Sequence, residues 1–270
     1  FHPSPYLQGI ERILPMLTTL PTAFFFVAAL TVVLTGISKS GFAGGLEVMQ
    51  VPILSLFVTP QFAAAVVMPI LLIMDIWIVW HYRRHWQGRV VAMMLPGAFA
   101  GLALGAIGFS WMSADGIRLA VGIMALMLVA GFVLLGPPAA RSRATPAPVV
   151  FSLGAVSGFT SFIAHAGGPP VKGYLLSQNM EKSQFVGTNT MFFFVLNAIK
   201  TAAYAGMGQL TWGSLQVSAI IAPMLVVGIF LGTHLHGRLD QNSFVKLVYG
   251  FLALTGVKLI WDSAPMLLGA

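Results

Sequence analysis

The stretch Thr160-Ser161-Phe162-Ile163-Ala164-His165-Ala166-Gly167-Gly168-Pro169-Pro170 interrupts an apolar segment with polar side chains, a glycine pair and a proline pair. A related stretch in the first half of the chain reads Ser38-Lys39-Ser40-Gly41-Phe42-Ala43-Gly44-Gly45. Each glycine pair falls where a membrane helix would otherwise continue. Unpaired backbone groups are costly in hydrocarbon, so such a break persists where it is buried in protein or lines a polar cavity. Breaks at matching places in two repeats are typical of a transporter's binding site.

The composition indicates an integral membrane protein built from helices. Of the 270 residues, 57% are hydrophobic and only 8% are charged, whereas soluble domains carry about 25% charged residues. Apolar runs of about 20 residues recur along the chain, which is the length needed to span a membrane. We therefore expect a multi-pass membrane protein, with the lipid bilayer as a partner; the location expected for it is the bacterial inner membrane.

The charged residues and the missing motifs exclude several classes of function. Lys and Arg number 14 against 7 Asp and Glu, a formal charge of +7, but basic residues fix the cytoplasmic side of membrane proteins, so no nucleic acid is implied. The chain has no cysteine, which excludes thiolate-ligated metals. It also lacks a Walker A loop, a dinucleotide fingerprint and a hydrolase elbow. We expect no cofactor, no metal site, no catalytic residues and no enzymatic activity; a homo-oligomer is left open.

Ten apolar segments fall into two halves of five. Two of them, 46–57 and 170–178, are too short to cross about 30 Å of hydrocarbon and are predicted as half-helices or re-entrant pieces. A stretch rich in proline and arginine separates the halves and is predicted to be aqueous. This divides the chain into a first transmembrane repeat (1–136), a linker (137–147) and a second transmembrane repeat (148–270). The long segments are predicted at 17–40, 61–82, 90–110, 114–136, 149–165, 183–206, 212–234 and 241–261.

The two halves correspond in sequence. A shift of 123 residues places Gly44-Gly45 on Gly167-Gly168, and a shift of 127 places Pro96 on Pro223. The predicted fold is all-α, with two homologous repeats of about four transmembrane helices each. Each repeat has a glycine-broken or re-entrant helix, near 38–46 and near 160–170. Basic loop residues favour an inverted second repeat, although inversion requires an odd number of crossings in each half.

The first break is predicted to bind an anion. A helix that begins after the glycine pair directs free N–H groups and a positive dipole end at the site, and Lys39 adds a full charge. Alternatively, Lys39 extends to the membrane interface and the glycines only allow close packing. The substrate-binding residues predicted here are Ser38, Lys39, Ser40, Gly44, Gly45 and Gln50.

The second break is predicted to face the same anion. Pro169 or Pro170 suits the first turn of a new helix, and His165 can donate to an oxyanion or carry a proton. The alternative for His165 is a buried histidine bonded to backbone. The substrate-binding residues predicted here are Thr160, Ser161, His165, Gly167 and Gly168.

The helix predicted at 183–206 carries Asn189, Asn197 and Lys200 on one face. Asn189 joins the substrate-binding set, with hydrogen bonding between helices as its alternative; for Lys200, extension to the interface is slightly favoured. Asp75 lies in the matching helix of the first half, where an intramembrane carboxylate indicates function. It either takes a coupling proton or forms a structural ion pair with Lys39, Lys172 or Lys200. The candidates for coupling or ion pairing are Glu47, Asp75, Lys172, Asn197 and Lys200.

Two motifs and a later triplet carry a resemblance to a known family. They are the run Gly36 to Gly45, the run Gly158 to Pro170, and Gly187-Thr188-Asn189. With the four-plus-four arrangement of long segments, they resemble the TauE/SafE family of sulfite and organosulfonate exporters over nearly the whole chain beyond Thr22. The resemblance implies secondary transport of a small sulfur-containing anion such as sulfite, sulfoacetate, isethionate or taurine. The residues leave open an anion channel, or a carrier of another carboxylate or oxyanion driven by protons or sodium.

Overall fold

The computed structural model describes residues 20–41, 46–135, 145–178, 180–235 and 241–268. Within these ranges all regular structure is helical, and a short 3-10 turn, Leu46–Met49, precedes α2. The helices are α1 (Thr22–Gly41), α2 (Gln50–Leu54), α3 (Pro60–Tyr82), α4 (Gly88–Trp111), α5 (Ala114–Leu135), α6 (Ala147–Ala164), α7 (Gly168–Ser177), α8 (Lys182–Gly206), α9 (Trp212–Ile221), α10 (Pro223–Leu235) and α11 (Gln241–Leu268).

The predicted all-α membrane protein is confirmed. Within the described ranges, six segments are long and apolar enough to cross a bilayer: Thr22–Lys39, Pro60–Tyr82, Gly88–Trp111, Ala114–Leu134, Ala147–Ala164 and Trp212–Gly232. Helix α8 is 25 residues long but is not among the six, because its polar side chains, among them the buried Asn189, Asn197 and Lys200, lower its mean hydropathy. The most buried of the six is α3, with 61% of its apolar window inside the protein, so α3 lies at the centre.

One predicted segment differs from the structure. The range 212–234 is predicted as one helix, whereas α9 ends at Ile221 and α10 begins at Pro223 after a turn at Ala222. Proline has no N–H to continue the hydrogen-bond ladder, so the helix is interrupted there. The two pieces still form one apolar span.

The helix is interrupted between α6 and α7, within the interval predicted near 160–170. The backbone of His165 is left-handed, with φ 53°, a conformation that non-glycine residues rarely adopt. The N–H groups of His165 and Ala166 donate to the carbonyls of Ser161 (3.1 Å) and Thr160 (3.2 Å), closing the end of α6. The two prolines then occupy the first turn of α7. At the first break, α1 ends at Gly41 and residues 42–45 lie outside the described residues.

The long helices pack in pairs that join the two halves of the chain. The main pairs are α4 with α6, α1 with α10, α5 with α11, and α3 with α8. In the α4–α6 pair, a Cβ added at Gly97 or Gly101 would overlap the carbonyl of Phe151 or Ala155. At Gly36, an added Cβ would lie 2.9 Å from the backbone of Gly228. Glycine therefore lets these helix backbones touch, as expected for small residues in membrane helix pairs.

Candidate functional site

A buried ion pair links α1 to α3. The Lys39 Nζ lies 2.7 Å from Asp75 Oδ1, and the Asn197 Nδ2 of α8 donates to Asp75 Oδ2 at 2.6 Å. The Asp75 side chain has no exposed surface, and that of Lys39 is 11% exposed. Both oxygens of the carboxylate are therefore satisfied, and of the three lysines considered for Asp75 the structure selects Lys39.

A second buried lysine lies against the break after α6. The Lys200 Nζ donates to the carbonyl oxygen of Ser161 (2.9 Å), to the Ser161 Oγ (3.0 Å) and to the His165 Nδ1 (2.6 Å). Lys200 has no exposed surface. The interpretation that this side chain extends to the membrane interface is wrong, because its ammonium group finds three acceptors inside the protein.

His165 joins this cluster to α3. Its Nε2 lies 3.0 Å from the carbonyl oxygen of Ala64. A carbonyl only accepts, so the Nε2 carries the proton and the Nδ1 accepts from Lys200, which describes a neutral imidazole. The histidine is buried and bonded to backbone, as in the alternative given for it, and it also bonds to a charged lysine.

Two carbonyls of α3 that lie one turn before Pro69 accept bonds from the second half of the chain. Pro69 lies inside α3, and its missing N–H leaves a carbonyl one turn earlier without its helical donor. The carbonyls on either side of that position belong to Ala64 and Val66. Ala64 accepts from His165 at 3.0 Å, and Val66 accepts from the Ser218 hydroxyl at 2.6 Å. Side chains of α9 and of the second break thus bind α3 at the two carbonyls next to the one that lacks its helical donor.

A small cavity, here called the first cavity, lies between the two lysines. Its volume is about 10 Å³, counted as the space open to the centre of a water molecule, which is room for about one water. In this conformation the cavity is too small for a tetrahedral oxyanion, which needs several times that space. The lining residues are Lys39, Glu47, Leu71, Ser161, His165, Gly168, Phe193, Asn197 and Lys200.

A second cavity of the same size also adjoins Lys39. It shares Lys39, Glu47 and Phe193 with the first cavity. Asn189 also lines it, and the Asn189 Oδ1 has no hydrogen-bond partner among the described residues, although the residue is only 7% exposed. The lining residues are Lys39, Glu47, Asp75, Ile78, Val186, Asn189, Thr190 and Phe193.

The residues around the first break have different roles. Ser38 is buried, and its Oγ accepts from the N–H of Leu46 at 3.4 Å. Gln50 is fully buried and donates to the Thr31 carbonyl at 3.5 Å, and it lines neither cavity. The side chain of Ser40 is not described, and Gly44 and Gly45 lie outside the described residues.

Glu47 brings the two breaks together. It is 7% exposed, lines both cavities and interacts electrostatically with Lys39 and Lys172. A Cβ placed on Gly168 would lie 3.7 Å from the Glu47 Oε1 and 4.0 Å from the half-buried Lys172. The turn that follows the first break therefore meets the start of the helix that follows the second.

Two predicted residues of the second break shape it without lining a cavity. The Thr160 hydroxyl donates to the Val156 carbonyl at 2.8 Å and lies 3.2 Å from the carbonyl of Ala166. The carbonyl of Gly167 accepts from the Ser157 hydroxyl at 2.8 Å, and a Cβ at Gly167 would lie 2.6 Å from the Ser157 carbonyl. Thr160 and Gly167 hold the end of α6, whereas Ser161, His165 and Gly168 face the cavity.

Sequence reasoning missed Phe193 and Tyr204. Phe193 lines both cavities, and the Tyr204 hydroxyl donates to the Phe162 carbonyl at 2.6 Å. Both belong to the face already defined by Asn189, Asn197 and Lys200, because residues three or four positions apart lie on one side of a helix. Extending that face in both directions would have found them.

Comparison with known proteins identifies the family. The model of the family described as Sulfite exporter TauE/SafE matches residues 28–259, from within α1 to near the end of α11. A search of curated proteins and a search of solved structures each gave no match. Since the family model matches most of the length of this chain, the chain belongs to the sulfite exporter TauE/SafE family.

Proposed function

We propose that this protein is a secondary transporter that carries a small sulfur-containing anion across the bacterial inner membrane. The expected substrates are sulfite or an organosulfonate such as sulfoacetate, isethionate or taurine. The proposal depends chiefly on one observation: the ammonium groups of Lys39 and Lys200, from different halves of the chain, line one buried cavity.

The charges around the first cavity favour an anionic ligand. Two lysines (39 and 200) and one carboxylate (Glu47) line this cavity, and Lys172 and Asp75 interact with these groups without lining it. With the lysines protonated, the carboxylates ionised and His165 neutral, the set has an excess of one positive charge. Buried charge is costly unless it is compensated. Ammonium groups and the Ser161 hydroxyl offer donors to a tetrahedral oxyanion, and bonds between charged groups are the strong ones.

The size of the two cavities favours a carrier over a channel. Each has room for about one water in this conformation. A channel needs a continuous path through the membrane, whereas a carrier passes through forms in which its site is closed. Loading then requires the two breaks to move apart.

We further propose that the two halves, 1–136 and 148–270, are repeats and that the second is inverted. The duplication equates α1 with α6, α3 with α8, α4 with α9 and α10 together, and α5 with α11. If each helix is replaced by its counterpart, the α1–α10 pair becomes the α6–α4 pair, and the α3–α8 and α5–α11 pairs stay the same. The two helices that end at a break are α1 and α6. Helix α1 packs on α10, and α6 packs on α4, which is the counterpart of α9 and α10 in the first half. The inverted orientation depends on the distribution of basic residues in the loops.

Two measurements on purified protein test the function. Substrate binding to the folded state raises its apparent stability, by about 2.7 kcal/mol at a hundred times the dissociation constant. We expect at least one of sulfite, taurine, isethionate and sulfoacetate to raise the melting temperature, with sulfate as the comparison anion. The same compound should show saturable counterflow in proteoliposomes. Stabilisation by none of them, together with flux that does not saturate, would contradict the proposal.

A further inference from the structure

Lys39 lies between two sites that compete for its charge. Its Nζ is 2.7 Å from Asp75 Oδ1 on the side of the second cavity, and it also lines the first cavity. An anion bound in the first cavity needs the same ammonium group that now compensates Asp75. One lysine cannot give full compensation to two anions, so loading weakens the Lys39–Asp75 pair.

The Asp75 carboxylate is poorly compensated once Lys39 turns away. It has no exposed surface, and the hydrogen bond from Asn197 is its other side-chain hydrogen bond among the described residues. An ionised carboxylate that loses its partner inside a protein is strongly unfavourable. Neutralisation by a proton removes that cost.

The geometry points to Asp75 as the proton carrier: we propose that it takes up one proton for each monovalent anion that binds between Lys39 and Lys200. This inference rests on the proposed transport function. The proton comes from water and adds to Asp75 Oδ1, while the Lys39–Oδ1 hydrogen bond breaks and Lys39 turns to the anion. Asp75 Oδ2 continues to accept from Asn197. The proton and the anion then cross the membrane together and leave together.

Asn189 supplies what the protonated carboxyl group requires. A carboxylic acid donates one hydrogen bond and needs an acceptor for it. The Asn189 Oδ1 is buried, has no partner among the described residues and lines the second cavity with Asp75. The cavity has room for one bridging water. The Asn189 Oδ1, which has no partner among the described residues, thus has a donor in the loaded form, namely the protonated carboxyl group of Asp75.

The charged and titratable neighbours of Asp75 come from several elements. Lys39 on α1 favours the carboxylate, and so does Lys200 on α8 from a greater distance. Glu47, in the turn before α2, opposes it, because two carboxylates that share a site favour one proton between them. His165, at the end of α6, is a neutral neighbour of the same cavity. Loss of the Lys39 contact leaves the repulsion from Glu47 in place, so uptake of the proton follows.

The test measures protons and anions in the same vesicles. Proteoliposomes with the full chain are loaded with labelled isethionate, whose sulfonate keeps one negative charge near neutral pH, and with a pH-sensitive dye. On dilution into isethionate-free buffer, the wild type should raise the lumen pH, with about one proton leaving per anion. The affinity for isethionate should fall about tenfold for each unit rise in pH, as expected for one linked proton.

Asp75→Asn should lower the ratio of protons to anions from about one to near zero, whatever anion flux remains, and should flatten the pH dependence of affinity. Asp75→Glu keeps an acid at this position and should restore the ratio. Asp115→Asn is the matched control, because it breaks a pair with Arg118 that is partly exposed and lies outside both cavities; its ratio should equal that of the wild type.

Three outcomes would overturn one proposal or the other. An Asp75→Asn variant that still moves one proton per anion overturns the coupling. So does wild-type protein that carries isethionate without any change in lumen pH, and this result does not depend on how the variant folds. Wild-type protein that exchanges none of isethionate, sulfite, taurine and sulfoacetate overturns the transport function itself.

Discussion

Two lysines from different halves of the chain face one cavity, and the protein compensates them in different ways. Lys39 has a carboxylate partner, Asp75, whereas Lys200 is held by a hydroxyl, a carbonyl and a neutral imidazole. A carboxylate cancels a charge, while neutral acceptors replace water around it and leave the charge in place. Lys200 therefore lines the cavity without a carboxylate among its direct hydrogen-bond partners, whereas Lys39 does so only when Asp75 releases it.

The largest effect is expected for Lys39→Ala, because it leaves Asp75 buried without its cation. Removal of one partner of a buried pair typically costs about 3–5 kcal/mol of stability. Thermal or denaturant unfolding in detergent measures the loss. The double variant Lys39→Met/Asp75→Asn removes both charges and should recover most of it. A double variant as unstable as Lys39→Ala would contradict the view that the unpaired carboxylate is the cause.

Lys200→Met should mainly affect anion binding. The variant removes the amine that would donate to the anion, and hydrogen bonds to charged groups are worth about 1.5–3 kcal/mol, so we expect the affinity for sulfite or isethionate to fall between about tenfold and a hundredfold. Titration of the melting temperature with the anion measures this. A folded variant with wild-type affinity would show that the first cavity is not the anion site.

His165 has two roles, because its ring accepts from Lys200 and its backbone is left-handed. Two substitutions separate these roles. Both His165→Ala and His165→Gly remove the acceptor for Lys200 and should reduce transport in counterflow assays. Glycine adopts the left-handed backbone freely, whereas alanine pays about 1–2 kcal/mol. His165→Gly should therefore be the more stable of the two and no more active. Full activity in either variant would assign the ring to packing.

The smallest effect is expected for Lys258→Ala, which breaks the third ion pair seen in the described residues. Lys258 and Asp262 are one helical turn apart on α11, and their side chains are 60% and 37% exposed. Exposed pairs of this kind contribute about 0.3–0.5 kcal/mol, so stability and anion affinity should change little. A loss as large as that of Lys39→Ala would mean that burial is not what distinguishes the two pairs.

The helices could be predicted from the sequence because each follows from local composition. The segments predicted at 61–82 and 183–206 agree with α3 and α8 within one residue at either end, since polar or proline-bearing loops bound their apolar runs. The break after α6 was visible as glycine and proline in an apolar run. The interruption at Pro223 was missed because one proline in a long apolar run also fits a kinked helix.

The partners within the site could not be predicted in the same way. Periodicity places Asp75, Asn197 and Lys200 on the inner faces of their helices. The position of one helix relative to another along its axis depends on packing. Asp75 therefore had three candidate lysines before the fold was known. Lys200 was misjudged because its distance from the helix end is local information, whereas the acceptors Ser161 and His165 come from another helix. The repeat inversion and the substrate remain predictions.

The glycine contacts have a mechanical consequence. With the backbone of α4 in contact with that of α6, and Gly36 of α1 against Gly228 of α10, neither pair can slide without separating its main chains. Each pair therefore behaves as one stiff unit, and each unit holds one of the helices that end at a break. We therefore expect access to the lysines to come from movement of one unit relative to the other.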